Sequence, residues 1–200
     1  MRKSLKIIIF AEVLIGNGMT EKELSINLRE DARRMGLCDE WYGEWQDDTD
    51  KQQLLDKYIR GLDFCFKHRW PSLPFAKAQF PQQLLRDNGI LVDDKYSFPV
   101  REKETRRLVC HRNYVALGNS ELTVRYSFRK NACNIWARDN SKIHAYAKYG
   151  SFMLVHLFDN AEVIAETDMS SKIAVICHSD KASVSKNGIV TVKDEFHYLE

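Results

Sequence analysis

A ten-residue repeat runs through the chain from residue 131 to about residue 190. In register, its units read NACNIWARDN, SKIHAYAKYG, SFMLVHLFDN, AEVIAETDMS, SKIAVICHSD and KASVSKNGIV. Alternate inner positions of the first five units are apolar or small, and alternate side chains of a strand lie on the same face. Each unit is therefore expected to be a strand with one core-facing stripe. The core-facing side chains are then Cys133, Ile135, Ala137, Ile143, Ala145, Ala147, Met153, Val155, Leu157, Val163, Ala165, Thr167, Ile173, Val175 and Cys177.

The boundaries between units are of two alternating types. Asp139 and Asp159 begin one type of corner, whereas Tyr149 and Met169 mark the other, so that each type recurs every twenty residues. A coil of two short strands has this period, which favours a flattened β-solenoid. An antiparallel β-meander with tight turns shows the same ten-residue alternation and remains the alternative.

The front half of the chain has the pattern of a small helical domain. Thr20 and Glu23 predict a capping box, and Gly36 is placed to end the helix that follows. Thr49 and Gln52 predict a second helix start, ahead of apolar residues at helical spacing. The sequence therefore predicts an α+β chain. Its parts are a helical domain over residues 1–92, a connecting segment over 93–118, and a β-repeat domain over 119–200, built as a β-solenoid (β-helix-like) or a β-meander.

Composition narrows the class of protein. The chain has 200 residues, a formal net charge of +2 and 44% hydrophobic residues, which fits a globular protein and does not indicate a nucleic-acid partner. We interpret residues 1–18 as an amphipathic or buried helix rather than a secretion signal, because Glu12 interrupts the apolar run. No apolar run approaches the roughly 20 residues of a membrane span. The five scattered cysteines are expected to stay reduced, which predicts a cytoplasmic protein.

No motif for catalysis, metal or cofactor binding is present in the sequence. The six histidines lack the spacing of known zinc sites, although His144 and His156 could approach each other on neighbouring strands. Cys110 and His111 are adjacent, so on a strand they would point to opposite faces. The sequence therefore predicts no catalytic residue, no metal site and no cofactor.

Two groups of aromatic residues are candidates for partner binding. The first is the segment WYGEWQDD, with Trp41, Tyr42 and Trp45 among carboxylates, which is expected to be loop-like. These side chains form either a contact surface or part of the helical core, and packing is the more ordinary role.

The second group lies on the outward stripe of the repeat. Its sixth positions read Trp136, Tyr146, His156, Glu166, Ile176 and Lys186. In a meander these residues form a single column. In a two-strand coil they divide into Trp136–His156–Ile176 on one face and Tyr146–Glu166–Lys186 on the other. Ordinary cross-strand packing is the alternative to binding here. The predicted partner-binding residues are Trp41, Tyr42, Trp45, Trp136, Tyr146, His156 and Glu166.

Three segments carry a resemblance to known sequences: LLDKYIRGLDFCFKHRWPSLPFAKAQF, LLRDNGILVDD and SFMLVHLFDNAEV. Over residues 36–195 the chain resembles an uncharacterised protein family of Bacteroidota genomes and their prophages or mobile elements, with a C-terminal β-repeat region. The family has no known activity. The resemblance implies an intracellular accessory protein used in contact between a mobile element and its host.

These features together predict a non-enzymatic protein-interaction module. In its specific form it is a phage or mobile-element accessory protein that acts on a host protein, for example as an inhibitor of host defence. One alternative is an enzyme that acts on a polymer in a groove of the β-repeat face, with Glu166 near His156. Another is a structural protein that self-assembles through exposed solenoid ends.

Overall fold

The computed structural model describes residues 19–47, 49–98, 113–129 and 132–196. The chain divides between Leu84 and Leu85 into a helical unit and a β unit. The helix predicted within residues 1–18 lies outside the described residues. The described helices are α1 (Glu21–Arg34), α2 (Asp39–Gly43), α3 (Lys51–Arg60), α4 (Leu62–His68), α5 (Leu73–Gln79) and α6 (Gln82–Asp87). Among them, no helix is long and apolar enough to cross a membrane.

Helix α1 begins and ends where the sequence predicts. Thr20 Oγ1 accepts a hydrogen bond from the Glu23 amide at 3.3 Å, and Glu23 Oε2 accepts one from the Thr20 amide at 2.9 Å. This reciprocal pair is a capping box, which satisfies amides that have no partner inside the helix. Gly36 follows the helix with φ +98°, a left-handed conformation that glycine adopts without steric cost.

The predicted start of the second long helix was wrong by one residue. Helix α3 is capped by Asp50 and Gln53, rather than by Thr49 and Gln52. The Thr49 side chain is buried, and its hydroxyl donates to the Gln46 carbonyl at 2.7 Å. The Asp50 carboxylate therefore takes the capping position and accepts from the Gln53 amide at 2.8 Å.

The β unit is a parallel two-sheet coil. Its described strands are β1 (Ile90–Val92), β2 (Lys95–Phe98), β3 (Asn113–Leu117), β4 (Glu121–Tyr126), β5 (Ala132–Ala137), β6 (Lys142–Ala147), β7 (Phe152–Leu157), β8 (Glu162–Thr167), β9 (Lys172–Cys177), β10 (Ser183–Asn187) and β11 (Val190–Asp194). Sheet A has the order β1-β3-β5-β7-β9-β11, and sheet B has the order β10-β8-β6-β4-β2. All neighbouring strands are parallel. A meander would pair consecutive strands in antiparallel fashion, so the predicted α+β fold with a C-terminal β-solenoid is confirmed.

The predicted core-facing stripe is also confirmed. Every side chain assigned to it is buried except Thr167, which is half-buried. Apart from Thr167, these residues form one hydrophobic core between the two sheets, together with Leu122, Val124 and Tyr126 of β4. Because inward side chains from both sheets meet there, the core is continuous along the coil.

The spacing between stacked strands is twenty residues at the centre of the coil and longer before it. Ala132 of β5 pairs with Phe152 of β7, twenty residues later. Glu121 of β4 pairs with Lys142 of β6, 21 residues later. One extra residue therefore separates β3 and β4 from the ten-residue spacing of the repeat. Strands β1, β2 and β3 precede residue 119 and pair within the same two sheets.

The predicted column of Lys186 was wrong, because a second extra residue lies between β9 and β10. Glu166 pairs with Asn187, whereas Lys186 pairs with the core residue Ala165. Asn187 therefore continues the column of Tyr146 and Glu166, and Lys186 takes a core-facing position on the terminal strand. The corner between β9 and β10 accommodates the added residue and shifts the alternation of β10 by one position.

One type of corner is held by ladders of polar side chains. Asp139 and Asp159 have φ of +62° and +53°, a conformation that aspartate adopts more readily than most residues. The Asp139 amide donates to Asp159 Oδ2 at 3.2 Å, which joins successive corners. Asn140 Nδ2 donates to Asn119 Oδ1 at 3.2 Å, and Asn160 Nδ2 donates to Asn140 Oδ1 at 3.0 Å. These bonds fix the stacking of the rungs at the edge of the coil.

Candidate functional site

Four rings stack on the outer side of sheet A, and we call them the ring stack. Trp136 of β5 and His156 of β7 are in register, with ring centroids 4.2 Å apart and planes 15° apart. Phe158 and His178 follow β7 and β9, and their rings stack at 4.3 Å with an angle of 17°. The His156 and His178 centroids are 5.3 Å apart with planes 4° apart. The predicted column of Trp136 and His156 is thus part of a larger cluster.

The pKa values of both histidines of the ring stack lie below that of an ordinary imidazole. Burial, and then the neighbouring His178, lower the pKa of His156 to about 4. Burial also lowers the pKa of His178. His178 Nδ1 lies 3.2 Å from the Glu195 carbonyl oxygen, which can only accept, so Nδ1 carries the proton. His178 Nε2 therefore accepts from His156 Nδ1, which lies 3.0 Å away.

A pocket of about 360 Å³ opens beside the ring stack. Its residues lie at the corners that follow β7 and β9 and just after β11. The lining residues are Phe158, Asp159, His178, Ser179, Asp180 and Phe196. The pocket therefore combines aromatic rings with two carboxylates and a hydroxyl group.

The outer side of sheet A carries large apolar side chains, and we call it the apolar face. Its residues are Trp136, Phe152, Leu154 and Ile176, on three consecutive strands of the sheet. Phe152 is 38% exposed, and the other three are half-buried. Trp136 and Ile176 flank His156 in one row of paired positions, and Leu154 and Phe152 lie two and four residues before His156 on β7. Lys172 pairs with Phe152 at the edge of this face.

The outer side of sheet B is charged, and we call it the charged face. Lys95, Glu121, Lys142 and Glu162 occupy one column of paired positions across β2, β4, β6 and β8. Lys95 and Glu121 form an ion pair. The hydrogen bond from Lys95 lowers the pKa of Glu121, and the charge of Lys142 acts in the same direction. The alternation of sign favours in-register stacking of the rungs.

The four predicted binding residues of the repeat do not form one site. Trp136 and His156 lie on sheet A, whereas Tyr146 and Glu166 pair with each other on sheet B. Outward side chains of the two sheets point away from each other. The Tyr146 ring lies 5.1 Å from the Arg125 guanidinium, its neighbour on the charged face. The arrangement of Glu166 near His156, on which the enzyme alternative depends, is absent.

Trp45 of the helical unit is a core residue. It is 7% exposed, and its Nε1 donates to Ser25 Oγ at 3.0 Å. Its ring packs edge-on against Trp70 at 6.4 Å. The preceding segment is helix α2 rather than the expected loop, with Asp39 and Glu40 in its first turn. Trp45 therefore packs against the helices, which is the more ordinary of its two predicted roles.

Trp41 and Tyr42 are half-buried and bound to neighbouring helices. The Arg60 guanidinium lies 5.1 Å from the Trp41 ring. Tyr42 Oη donates to Glu30 Oε1 at 2.7 Å, and the Arg29 guanidinium lies 5.1 Å from the Tyr42 ring. These contacts account for both side chains within the helical unit.

Sequence reasoning missed Phe158 and His178. His144 and His156, which could have approached each other on neighbouring strands, lie on different sheets. The signal that could have found the ring stack is the eighth position of alternate units, where Arg138, Phe158 and His178 are spaced by twenty residues. All three are buried. These positions lie just beyond the strand ends, where the two-residue alternation no longer predicts to which face of the sheet a side chain points.

The described residues contain no group of three or more histidine, cysteine, aspartate or glutamate side chains that could hold a metal ion. Neither a family model, nor a curated protein, nor a solved structure matches the chain. The function is therefore inferred from the geometry and chemistry of the faces and the pocket.

Proposed function

We propose that this protein is a non-enzymatic interaction module that binds another protein through the apolar face. The observation that carries the proposal is the difference between the two outer sides of one coil. The outer side of sheet A presents Phe152, Leu154, Ile176 and Trp136, with Lys172 paired beside Phe152. On sheet B, the first outward column alternates lysine and glutamate over four strands. Contiguous apolar side chains on a protein surface favour association, because their burial releases water.

The rigidity of the coil supports this use. Every strand of the apolar face is paired on both sides, and the corners are joined by the asparagine and aspartate ladders. A preorganised surface loses little conformational entropy when a partner binds. Large aromatic side chains such as Trp136 and Phe152 add contact area with few rotatable bonds.

The enzyme alternative has less support. A polymer-acting hydrolase needs at least two titratable groups that converge on one site. His156 and Glu166 lie on opposite sheets, and His156 and His178 are hydrogen-bonded to each other. The geometry thus favours binding over turnover.

Self-assembly through the solenoid end also has less support. The terminal strands place Lys186 and Asp194 at positions that pair with the core residues Ala165 and Cys177. Charged side chains at core-facing positions of an edge strand oppose the stacking of another strand. The last rung therefore has the character of a cap.

The test is affinity capture from the native source with matched variants. Phe152 and Ile164 are outward side chains of β7 and β8, two strands that follow each other in the sequence but belong to different sheets. Phe152 is 38% exposed on the apolar face, and Ile164 is 39% exposed on the charged face. We expect Phe152→Ser to lose the captured partner and Ile164→Ser to retain it. Equal capture by both variants would contradict the assignment of the face.

The identity of the captured protein tests the finer form of the proposal. A phage or mobile-element accessory protein is expected to bind a host protein in the cytoplasm. Mass spectrometry of the captured complex, compared between wild type and Phe152→Ser, identifies the partner. A partner encoded by the same mobile element would contradict this finer form while leaving the binding role intact.

A further inference from the structure

His156 is a polar residue at the centre of the apolar face. Trp136 of β5 and Ile176 of β9 are its paired neighbours, and Leu154 lies two residues earlier on the same strand. The Trp136 ring stacks on the imidazole at 4.2 Å, and His156 is only 9% exposed. A titratable side chain is therefore almost enclosed by the apolar residues that the proposed function uses.

The hydrogen bonds of the histidine pair leave one nitrogen of His156 as an acceptor. The Glu195 carbonyl accepts from His178 Nδ1, and His178 Nε2 accepts from His156 Nδ1. A neutral imidazole carries one proton, so His156 Nε2 holds a lone pair. Within the described part of the chain this nitrogen makes no hydrogen bond, and it keeps contact with solvent. Burial lowers the pKa of His156 to about 4, which leaves Nε2 unprotonated at neutral pH.

A protein that covers the apolar face must replace the water at this acceptor. Burying an acceptor without a donor is unfavourable, because its hydrogen bonds to water are lost. Hydrogen bonds in a chain polarise one another, so the bonds from His156 through His178 to the Glu195 carbonyl strengthen Nε2 as an acceptor. A partner with an N–H or O–H group at this point is therefore favoured over one without it.

The charges near this acceptor favour a neutral donor. A carboxylate of the partner would place acceptor oxygens against an acceptor nitrogen. On the described strands of sheet A, the charged side chains at outward positions are those of Lys172 and Lys193, and no carboxylate is among them. The Glu195 carboxylate, just after β11, pairs with Lys193. A cation of the partner would thus meet like charges, whereas Trp136 and Ile176 favour a side chain with an apolar body.

We propose that His156 Nε2 accepts a hydrogen bond from a tryptophan or tyrosine side chain of the bound protein. These two side chains combine a large apolar body with one neutral N–H or O–H donor, and they are enriched at protein interfaces. The inference rests on the proposed function, since it names the kind of side chain that the apolar face receives.

The test is NMR titration of the full chain, labelled at its histidine nitrogens, with indole and with N-methylindole. The two probes have nearly the same shape, but only indole has an N–H donor. We expect indole to shift the His156 Nε2 resonance and to bind about fivefold more tightly than N-methylindole, as one hydrogen bond allows. An equal response to the two probes, or a response to neither, would overturn the proposal.

A matched pair of variants assigns the preference to His156. His156→Phe keeps a ring beside Trp136 but removes the acceptor, so it should bind indole and N-methylindole equally. His144→Phe makes the same substitution at an outward position of sheet B and should keep the wild-type preference. A preference for indole that persists in folded His156→Phe would contradict the assignment. The comparison of the two probes on wild type does not depend on the folding of either variant.

Affinity capture separates this inference from the proposed function. We expect His156→Phe to capture less partner than His144→Phe. Full capture by His156→Phe, together with loss of capture by Phe152→Ser, would reject the acceptor role and leave the apolar face as the binding surface. Full capture by Phe152→Ser, with the indole preference of wild type intact, would reject the proposed function and leave the acceptor in place.

Discussion

Gly188 lies at the corner between β10 and β11. Its φ is +91°, and the next amide, of Ile189, donates to Thr167 Oγ1 at 2.7 Å. A Cβ at position 188 would lie 2.7 Å from the Thr167 carbonyl oxygen and would also overlap Thr167 Oγ1. A backbone oxygen inside a strand pair cannot move away without breaking the ladder. Both the backbone conformation and the available space therefore favour glycine at position 188.

We predict that Gly188→Ala lowers the free energy of unfolding by more than the roughly 1–2 kcal/mol that a left-handed alanine costs. Urea unfolding followed by circular dichroism measures the change. Gly150→Ala is the matched control, with φ +77° and a Cβ that meets the flexible Arg129 side chain at 3.2 Å. The control should lose the conformational cost and, at most, the exposed hydrogen bond that Arg129 Nε donates to the Tyr149 carbonyl. Equal losses in the two variants would contradict the close approach at Thr167.

The buried histidine pair makes stability depend on pH. The pKa of His156 is about 4 in the folded chain, below the value of about 6.5 expected in the unfolded chain. Between these values the unfolded state binds more protons, so stability falls as pH decreases from about 6.5 to about 4. For His156 alone the total loss is about 3 kcal/mol.

His156→Phe tests this pH dependence. Phenylalanine keeps a ring against Trp136 but removes the titratable group. We predict a shallower decrease in unfolding free energy between pH 6.5 and pH 4 than in wild type, measured by urea unfolding at several pH values. The comparison uses slopes, because the variant also loses the hydrogen bond to His178 Nε2. Identical slopes would mean that His156 is not buried in its neutral form.

At the level of strands, the decameric frame predicted which side chains form the core. Alternation along a strand is a local property, and a corner repeating every twenty residues implies two strands per coil. The sequence did not reveal the extra residue before β10, because a corner can absorb it without a marker. That residue placed Lys186, rather than Ser185, opposite Ala165. Packing was the more ordinary predicted role of Trp45, but the sequence did not identify its partner Ser25, which lies twenty residues away.

The terminal strands supply a prediction about assembly. Lys186 of β10 and Asp194 of β11 occupy core-facing positions at the end of the coil. Replacing both with valine removes the charges that oppose stacking of a second copy. We predict that the Lys186→Val/Asp194→Val variant self-associates with increasing concentration in sedimentation velocity.

The matched control changes outward positions on the same two strands. Ser185 and Thr191 pair with the outward residues Ile164 and Ala174. The Ser185→Val/Thr191→Val variant adds apolar surface without altering the core-facing positions, so it should sediment like wild type. Association of the control, or none of the charge-free variant, would show that the last rung does not act as a cap.

The β unit as a whole presents two different surfaces from one repeat. Inward residues of both sheets build a common core, and outward residues are free to differ. Sheet A uses this freedom for the apolar face and the ring stack, whereas sheet B carries alternating charges. The repeat predicted the outward column of Trp136, His156 and Ile176 on sheet A and that of Tyr146 and Glu166 on sheet B, but not the replacement of Lys186 by Asn187 in the second column.

Photo-cross-linking from the two faces tests this account most directly. A photoreactive benzoylphenylalanine is placed at Phe152 in one protein and at Ile164 in another, and each is irradiated with the captured partner. We predict a covalent adduct from position 152 and none from position 164. Adducts from position 164 alone, or from both positions equally, would contradict a binding role for the apolar face.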